Sequence, residues 1–558
     1  MFIPESARSL SITASALILV LIVTGCAEST RDGGDGGERN ETQPLVFAGA
    51  GDPRTVDPVL TSDGETFRVT RQIYDTLLAH EPGGTEIIGG LAESWEQSDD
   101  GTEWTFHLRD GVKFHDGEDF DAAAVCANFD RWYNFTGNYQ NSNQTYYWQN
   151  IFGGFAENED EDTPDPNFES CSTPDDLTAV IEVKEPSANY PGAFSLASFG
   201  IMSPKVIDQV AQEEVTGDPG SPVLPSYTQE AGTVAGTGPY RLVDWDRDAQ
   251  EVVLERFDDH WGENAKVKTL IIKTISEEAA RKQALEAGDI HGYDLVGPAD
   301  VEPLKDAGFQ VPVRDVFNIL YLAYNQEAGE ELGDEKVRRA IAHAVDRQRI
   351  VDTILPEGGR VATQFIPETV EGWSPDVTTY DHDPDKAEAL LQEAGQSDLE
   401  IDMCFPTEVT RPYMPAPQDI FDIIKADLES VGITVTADSM PWGDYIPHTD
   451  SGGCSLYLLG WTGDFNEAYN FLGTWFDGYD SAWGFRDEEL FERMREVSTT
   501  PDADERTALY QEVNQEIMDY LPGLPISHSP PSIAFAPDVT PPAVSPLTQE
   551  NFAEASFS

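Results

Sequence analysis

An aspartate set directly behind an apolar stretch is the first residue whose position suggests chemistry. In Leu459-Gly460-Trp461-Thr462-Gly463-Asp464, the short run from Leu456 to Leu459 reads as a buried strand. An acid just past it, beside an indole and glycines, lies where an α/β sheet offers a ligand site at its strand ends. A carboxylate taken out of water needs a positive partner, so Asp464 is a candidate to hold a ligand cation; a helix cap or a structural salt bridge is the alternative. Thr410-Arg411-Pro412-Tyr413-Met414-Pro415 supplies the opposite charge. The planar fork of Arg411 suits a carboxylate, which it can hold through two parallel hydrogen bonds, with an exposed structural arginine as the alternative. Opposite charges fixed at two ends of one cleft would act as a ruler for a zwitterion. Trp461 and Tyr413 would line the space between, and core packing accounts equally well for either alone.

Other chemistries find little support. The sequence carries no G-x-S-x-G elbow, no H-E-x-x-H and no P-loop, so a hydrolase or nucleotide enzyme is not expected, nor is a cofactor. Nine histidines are present. His382, between Asp381 and Asp383, resembles a ligand set on paper, but adjacent residues rarely converge on one ion; a solvated loop is expected there, and no metal site.

The elements that would position these residues alternate between strand and helix. Trp104–Leu108, Leu177–Val183 and Glu251–Phe257 read as strands. Helices are expected over Asp121–Trp132, Glu277–Ala287, Lys336–Ile354, Pro384–Ala394 and Pro417–Val431, the last passing through Gly432 into a strand at Ile433-Thr434-Val435. Asp383-Pro384-Asp385 places proline just inside a helix start with acids in its first turn, a structural motif. Phe155–Ser172 and Ala211–Val234 are acidic or rich in Gly and Pro and read as surface excursions. The class is α/β.

With 558 residues, the chain far exceeds the roughly 250–300 at which one core stops growing, so at least two domains are expected. Asp and Glu number 102 against 34 Lys and Arg, a formal net charge of −68. Nucleic acid and anionic membrane surfaces both require a basic footprint and are poor partners. The acids are scattered, as in Glu96–Asp100 and Asp502–Glu505, which fits a solvated acidic surface suited to a salty habitat. The apolar run Ala14–Val23 is too short for a comfortable membrane span and reads as the core of an export signal over residues 1–25. It ends in Thr24-Gly25-Cys26, which resembles the lipobox of bacterial lipoproteins and would make Cys26 the lipidated first residue. An ordinary signal with an incidental cysteine is the alternative. Residues 26–43 are polar, without apolar period, and read as a flexible tether. Cys126, Cys171, Cys404 and Cys454 remain, an even count that favours disulfides in an exported chain, with three connectivities open and free thiols as the alternative.

A series of motifs in fixed order resembles family 5 of the extracellular solute-binding proteins, the peptide and nickel binders of ABC importers. It opens with Gly90-Leu91-Ala92-Glu93-Ser94-Trp95 and Phe106 to Gly117. It continues with Gly236-Thr237-Gly238-Pro239-Tyr240, Ala284-Leu285-Glu286-Ala287-Gly288-Asp289 and Tyr324-Asn325, and closes with Lys336-Val337-Arg338-Arg339-Ala340. The resemblance implies a two-lobed, clam-like periplasmic-binding-protein fold of type II, in the large peptide-binding class with an extra subdomain in lobe 1. Lobe 1 would span 44–316, lobe 2 317–522, and a return segment 523–558 would complete lobe 1, with crossings near Arg314–Phe317 and Leu521–Pro525. Cysteine pairs Cys126–Cys171 and Cys404–Cys454 would each stay within one implied lobe.

The same resemblance gives the site residues their roles. Asp464 and Arg411 are similar in context and spacing to the residues of the dipeptide-binding branch that take the ligand's α-ammonium and C-terminal carboxylate. Thr61-Ser62-Asp63-Gly64 falls where the family presents backbone groups to the peptide main chain, making Thr61 and Gly64 candidates. Phe465-Asn466-Glu467-Ala468 lacks the Asp-Pro usual in the dipeptide branch and is closer to the oligopeptide branch, leaving ligand length open. The implied function is an exported monomer, lipid-anchored at the outer face of the cytoplasmic membrane, that passes short peptides to importer permease and ATPase subunits. A nickel chelate, haem or a sugar as ligand, or a peptide receptor without transport, are the alternatives.

Overall fold

The computed structural model describes residues 43–558 except 162, 219 and 220; the export signal, the lipobox and the tether up to residue 42 lie outside the described residues. Two six-stranded sheets organise the chain. The first runs Tyr240–Asp246, Glu251–Arg256, Thr269–Thr274, Leu45–Gly49, Gly292–Asp294 and Ile533–Phe535. The second runs Arg360–Val361, Gly523–His528, Asn318–Tyr324, Leu456–Thr462, Glu400–Thr407 and Thr434–Pro441. Each sheet carries its own apolar core, the first around Phe47, Tyr240 and Ile272, the second around Leu322, Ile341 and Trp483. A third core, around Phe106, Trp148 and Phe194, belongs to the extra subdomain. It packs on a four-stranded antiparallel sheet, Ala92–Gln97, Glu103–Leu108, Thr178–Val183 and Phe168–Asp175. This is the two-lobed α/β solute-binding fold with its subdomain in lobe 1.

Local sequence explains most element boundaries. Asp121 accepts from the backbone N–H of Ala124 and starts the helix Ala122–Tyr133; Asp383 does the same for Pro384–Ala394 through Lys386, with Gly395 closing it at φ 74°. The helix expected over Lys336–Ile354 is two, Glu335–Ala344 and Arg347–Ile354. Asp346 breaks it, because its carboxylate accepts from the N–H of Arg349 and caps a new helix. The two expected surface excursions are only partly superficial: Phe168–Asp175 is a strand of the subdomain sheet, and buried Tyr227 donates to Asp57 at 2.7 Å. Disulfides join Cys126 to Cys171, tying a subdomain helix to a strand, and Cys404 to Cys454, tying strand Glu400–Thr407 to the residues just before strand Leu456–Thr462 in lobe 2. His448 lies within 4.8 Å of the second pair, whose sulfurs are bonded to each other and so are not thiolate ligands. His382 is exposed and lies 3.6 Å from Asp346.

The second crossing differs from the expected one. Gly523–His528 is a strand of lobe 2, paired with Asn318–Tyr324, so Leu521–Pro525 and the start of the return segment at 523 are displaced: the chain crosses at 529–532 and joins lobe 1 at Ile533. Burial explains the shift, since every residue from Gly523 to Phe535 is buried and no exposed turn marks the exit. The two crossings run side by side, Val313 bridging Ser532 and Arg314 donating its N–H to Pro531 at 2.9 Å.

Candidate ligand-binding site

Strand Leu456–Thr462 delivers Asp464 to the space between the lobes. It pairs antiparallel with Asn318–Tyr324 along its full length, then turns at Gly463, whose N–H donates to Phe317 at 3.0 Å. A side chain at Gly463 would overlap the rings of Phe317 and Phe471, so glycine is required for the tight turn that follows the strand. The next helix, Tyr469–Phe476, contributes Asn470. Its Oδ1 accepts from the Asp464 N–H at 2.8 Å and its Nδ2 donates to the Asp464 carboxylate at 3.3 Å.

From the opposite lobe, the Tyr147 hydroxyl donates to Asp464 Oδ1 at 2.9 Å. Thus Asp464 is held by neutral donors, and among the described residues no Lys or Arg makes an ion pair with it. Burial pushes its carboxyl up to about 6, only partly offset by the hydrogen bonds from Tyr147 and Asn470 and by the charge of Arg71. Free space of about 310 Å³, including the open mouth, adjoins the carboxylate and is lined by Tyr146, Tyr147, Asn189, Trp461 and Tyr469 among others. Beside it Phe465 leaves lobe 2 and packs into the subdomain core, against Gly192, where any side chain would collide with its ring.

Arg411 sits in a second interlobe space, open to solvent on one side and lined by Val296, Gly297 and Pro298 of lobe 1, Thr410 and Pro412 of lobe 2, and Ser529 and Ser532 of the crossing. Its backbone closes a tight loop with Met414, through N–H to carbonyl bonds of 3.2 and 3.0 Å. The guanidinium stacks on Trp442 with its centre 4.1 Å from the ring centroid, which holds the fork flat and leaves its edges free. Among the described residues no carboxylate pairs with it, and its Nε has no hydrogen-bond partner. Each lobe-2 charge therefore faces its own space, not the two ends of the one cleft expected, and neither has an ion pair within the protein, the charge of Arg71 acting on Asp464 only from beyond ion-pair distance.

The remaining candidates fall elsewhere. Trp461 lines the Asp464 space. Tyr413 is 7 % exposed and packed in the lobe 2 core, its ring filling the room left by Gly460; it lines neither space, and burial pushes its hydroxyl up to about 12. Thr61 is fully buried, its hydroxyl accepting from the N–H of Asp63. Gly64 is exposed and opens the helix Gly64–Ile73, which Asp63 caps. Neither Thr61 nor Gly64 lines these two spaces. Residues that sequence reasoning missed are Tyr147, Asn189 and Asn470 around the acid and Trp442 beneath the arginine. Tyr147, Asn189 and Trp442 carry no local signal, since the contacts that matter are far apart in sequence.

Known proteins match the sequence and the overall fold. A family model described as bacterial extracellular solute-binding proteins, family 5, matches residues 86–483. The dipeptide-binding protein of Escherichia coli K12 is 29% identical over 534 residues, covering 93% of this chain and 95% of that protein. Heme-binding protein A of Haemophilus influenzae is 27% identical over 542 residues, covering 95% and 94%. Among solved structures, the dipeptide-binding protein of Pseudoalteromonas sp. SM9913 in complex with Met-Leu superposes with a TM-score of 0.78 at 22% identity, covering 92% of this chain and 100% of that one.

Proposed function

Because the chain belongs to family 5 of the bacterial extracellular solute-binding proteins, on the side of their dipeptide-binding branch, we propose that it binds short zwitterionic peptides between its lobes. It hands them to the permease and ATPase subunits of an ABC importer and does no chemistry of its own. The observation that carries this reading is a pair of charges without ion-pair partners: a half-buried carboxylate at Asp464, with only the charge of Arg71 acting on it, and a stacked guanidinium at Arg411. Each is costly to leave without a partner, and a peptide with free termini supplies both partners at once. Trp461 and Tyr146 supply apolar surface beside the ammonium site for a variable side chain. A haem-binding relative shows that the family accommodates other solutes, yet haem brings carboxylates and no ammonium, which Asp464 would repel. Mass spectrometry of ligand released from the purified protein is expected to return di- or tripeptides; a haem, a sugar or a nickel chelate in their place would refute the proposal.

Among the described residues no helix is long and apolar enough to cross a membrane. Attachment is proposed through a lipid on Cys26, which the Thr-Gly-Cys ending of the export signal supports; two acyl signals are what stable anchoring requires. Metabolic labelling with a fatty-acid analogue is expected to mark the wild type and to leave Cys26→Ser unmarked. Equal labelling of both would remove the anchor. The site roles of Thr61 and Gly64 rest on the family resemblance alone, through backbone groups of the loop that precedes the helix at Gly64.

A further inference from the structure

We propose that Ser529 and Ser532, on the second crossing between the lobes, complete a carboxylate cradle with Arg411. The inference rests on the reading that Arg411 takes the peptide's terminal carboxylate. Both serines are 1% exposed, both line the same interlobe space as Arg411, and the hydroxyl of neither has a hydrogen-bond partner. A buried hydroxyl normally finds a partner, so two unpartnered ones beside an unpaired guanidinium mark a place where something else supplies the acceptor.

The crossing engages much of its own backbone while leaving these two hydroxyls unpartnered. In Ser529-Pro530-Pro531-Ser532 the two prolines lack N–H groups and fix φ, which stiffens the segment. Asn318 clamps the backbone of Ser529 from both sides, its Oδ1 accepting from the Ser529 N–H at 3.0 Å and its Nδ2 donating to the Ser529 carbonyl at 2.7 Å. Arg314 N–H donates to the Pro531 carbonyl at 2.9 Å, and Val296 N–H to the Ser532 carbonyl at 3.0 Å. With these carbonyls engaged, each Oγ is free to donate. Leu295, Pro298, Pro356 and Pro415 make much of the lining apolar, so a charged acceptor there would lose part of its water and lean on these donors. One carboxylate can accept from a guanidinium and two hydroxyls at once, because each of its oxygens has more than one lone pair. The donors also come from different parts of the molecule: Arg411 from lobe 2, the serines from the segment about which the lobes would move. A carboxylate bound to all three would tie lobe 2 to the crossing.

A carboxylate could reach the cradle from the peptide terminus or from an acidic side chain, and the test separates the two. Calorimetry is run with Met-Leu, Met-Leu-amide and Met-Glu-amide on the wild type, Ser529→Ala, Ser532→Ala, the double variant and Ser527→Ala. Ser527 is as buried and unpartnered as the others but does not line the space. Each cradle substitution is expected to weaken Met-Leu roughly tenfold and the double variant further, while the preference of the protein for Met-Leu over its amide shrinks in step. Ser527→Ala is expected to bind as the wild type does. Retained affinity of Met-Glu-amide would identify a side-chain carboxylate as the occupant. Removing hydroxyls that have no partner in the empty protein is expected to leave its melting temperature unchanged or raised, so a loss of affinity cannot be laid to unfolding. A wild type that prefers the free acid, with a double variant that keeps the same preference, overturns the cradle and leaves Arg411 in place. A wild type that binds acid and amides alike overturns the cradle together with the reading of Arg411 on which it rests.

Discussion

Asp464→Asn is expected to weaken binding of a dipeptide such as Met-Leu by roughly 2–5 kcal/mol, about 30- to several-thousand-fold, the range for one-sided loss of a buried charge pair. The variant keeps the shape of the side chain and an oxygen to accept from Tyr147, but removes the charge that an ammonium requires. Stability without ligand moves the other way. Burial holds the Asp464 carboxyl up at about 6, so the folded state binds this proton more tightly than the unfolded chain, whose carboxyl titrates near 3.9. The ionised form therefore burdens the fold above about pH 6, and the burden is relieved as the pH falls from there toward 4. At pH 7 the empty variant is expected to melt at or above the wild-type temperature, the two converging below about pH 4. Wild-type affinity is expected to drop as the pH falls through about 6, where the ligand's carboxylate partner is lost, and that slope should be absent in the variant. Lower stability of the empty variant with unchanged peptide affinity would mean that Asp464 is a structural residue.

The second large effect concerns folding. Four charged side chains meet where the lobe 1 sheet reaches the crossing. Arg68 binds Asp294 at 2.5 Å, Arg314 binds the other Asp294 oxygen at 2.6 Å, and Arg314 Nε reaches Glu550 at 2.7 Å. The side chains of Arg314, Asp294 and Glu550 are at most 3% exposed. The network ties a helix, a strand, the first crossing and the C-terminal segment into one unit. Asp294→Ala would leave two buried guanidiniums short of a partner and is expected to cost about 3–5 kcal/mol in urea unfolding, far more than a surface acid at ~0–1 kcal/mol. Although burial opposes ionisation, the two guanidiniums hold the Asp294 carboxyl well below the usual carboxylate range. Its contribution to stability is therefore complete above the unfolded value near 4 and is lost only as the pH falls further. A loss below 1 kcal/mol would show that the network is not what joins the two segments.

Much of this was legible from residue order because the signals are local. Alternating apolar residues marked Trp104–Leu108, and a capping aspartate with Pro384 marked the start of its helix. Asp464 could be found because the strand that precedes it and the glycine that turns it are adjacent in sequence. What could not be read depends on distant parts of the chain. Tyr147 meets Asp464 from another lobe, Trp442 slides under Arg411 from a separate helix, and the serines at 529 and 532 are ordinary loop residues until the crossing is folded. Tyr413 misled for the opposite reason: proximity to Arg411 in sequence suggested a ligand wall, whereas the space left by Gly460 draws the ring into the core. The break at Asp346 shows a local signal overridden by another, since periodicity continued through a residue whose side chain prefers to cap.

The measurement that bears most directly on the central claim is calorimetric titration of the wild-type protein with Met-Leu and with the same dipeptide N-acetylated and C-amidated. If Asp464 and Arg411 each hold one terminus, each in its own interlobe space, capping both removes two charge pairs and leaves each protein charge without its partner. The capped peptide is expected to bind weaker by several kcal/mol, to the point of no detectable heat. Equal affinity for the free and the capped dipeptide would contradict the account, because the two uncompensated charges would then have no part in recognising the ligand.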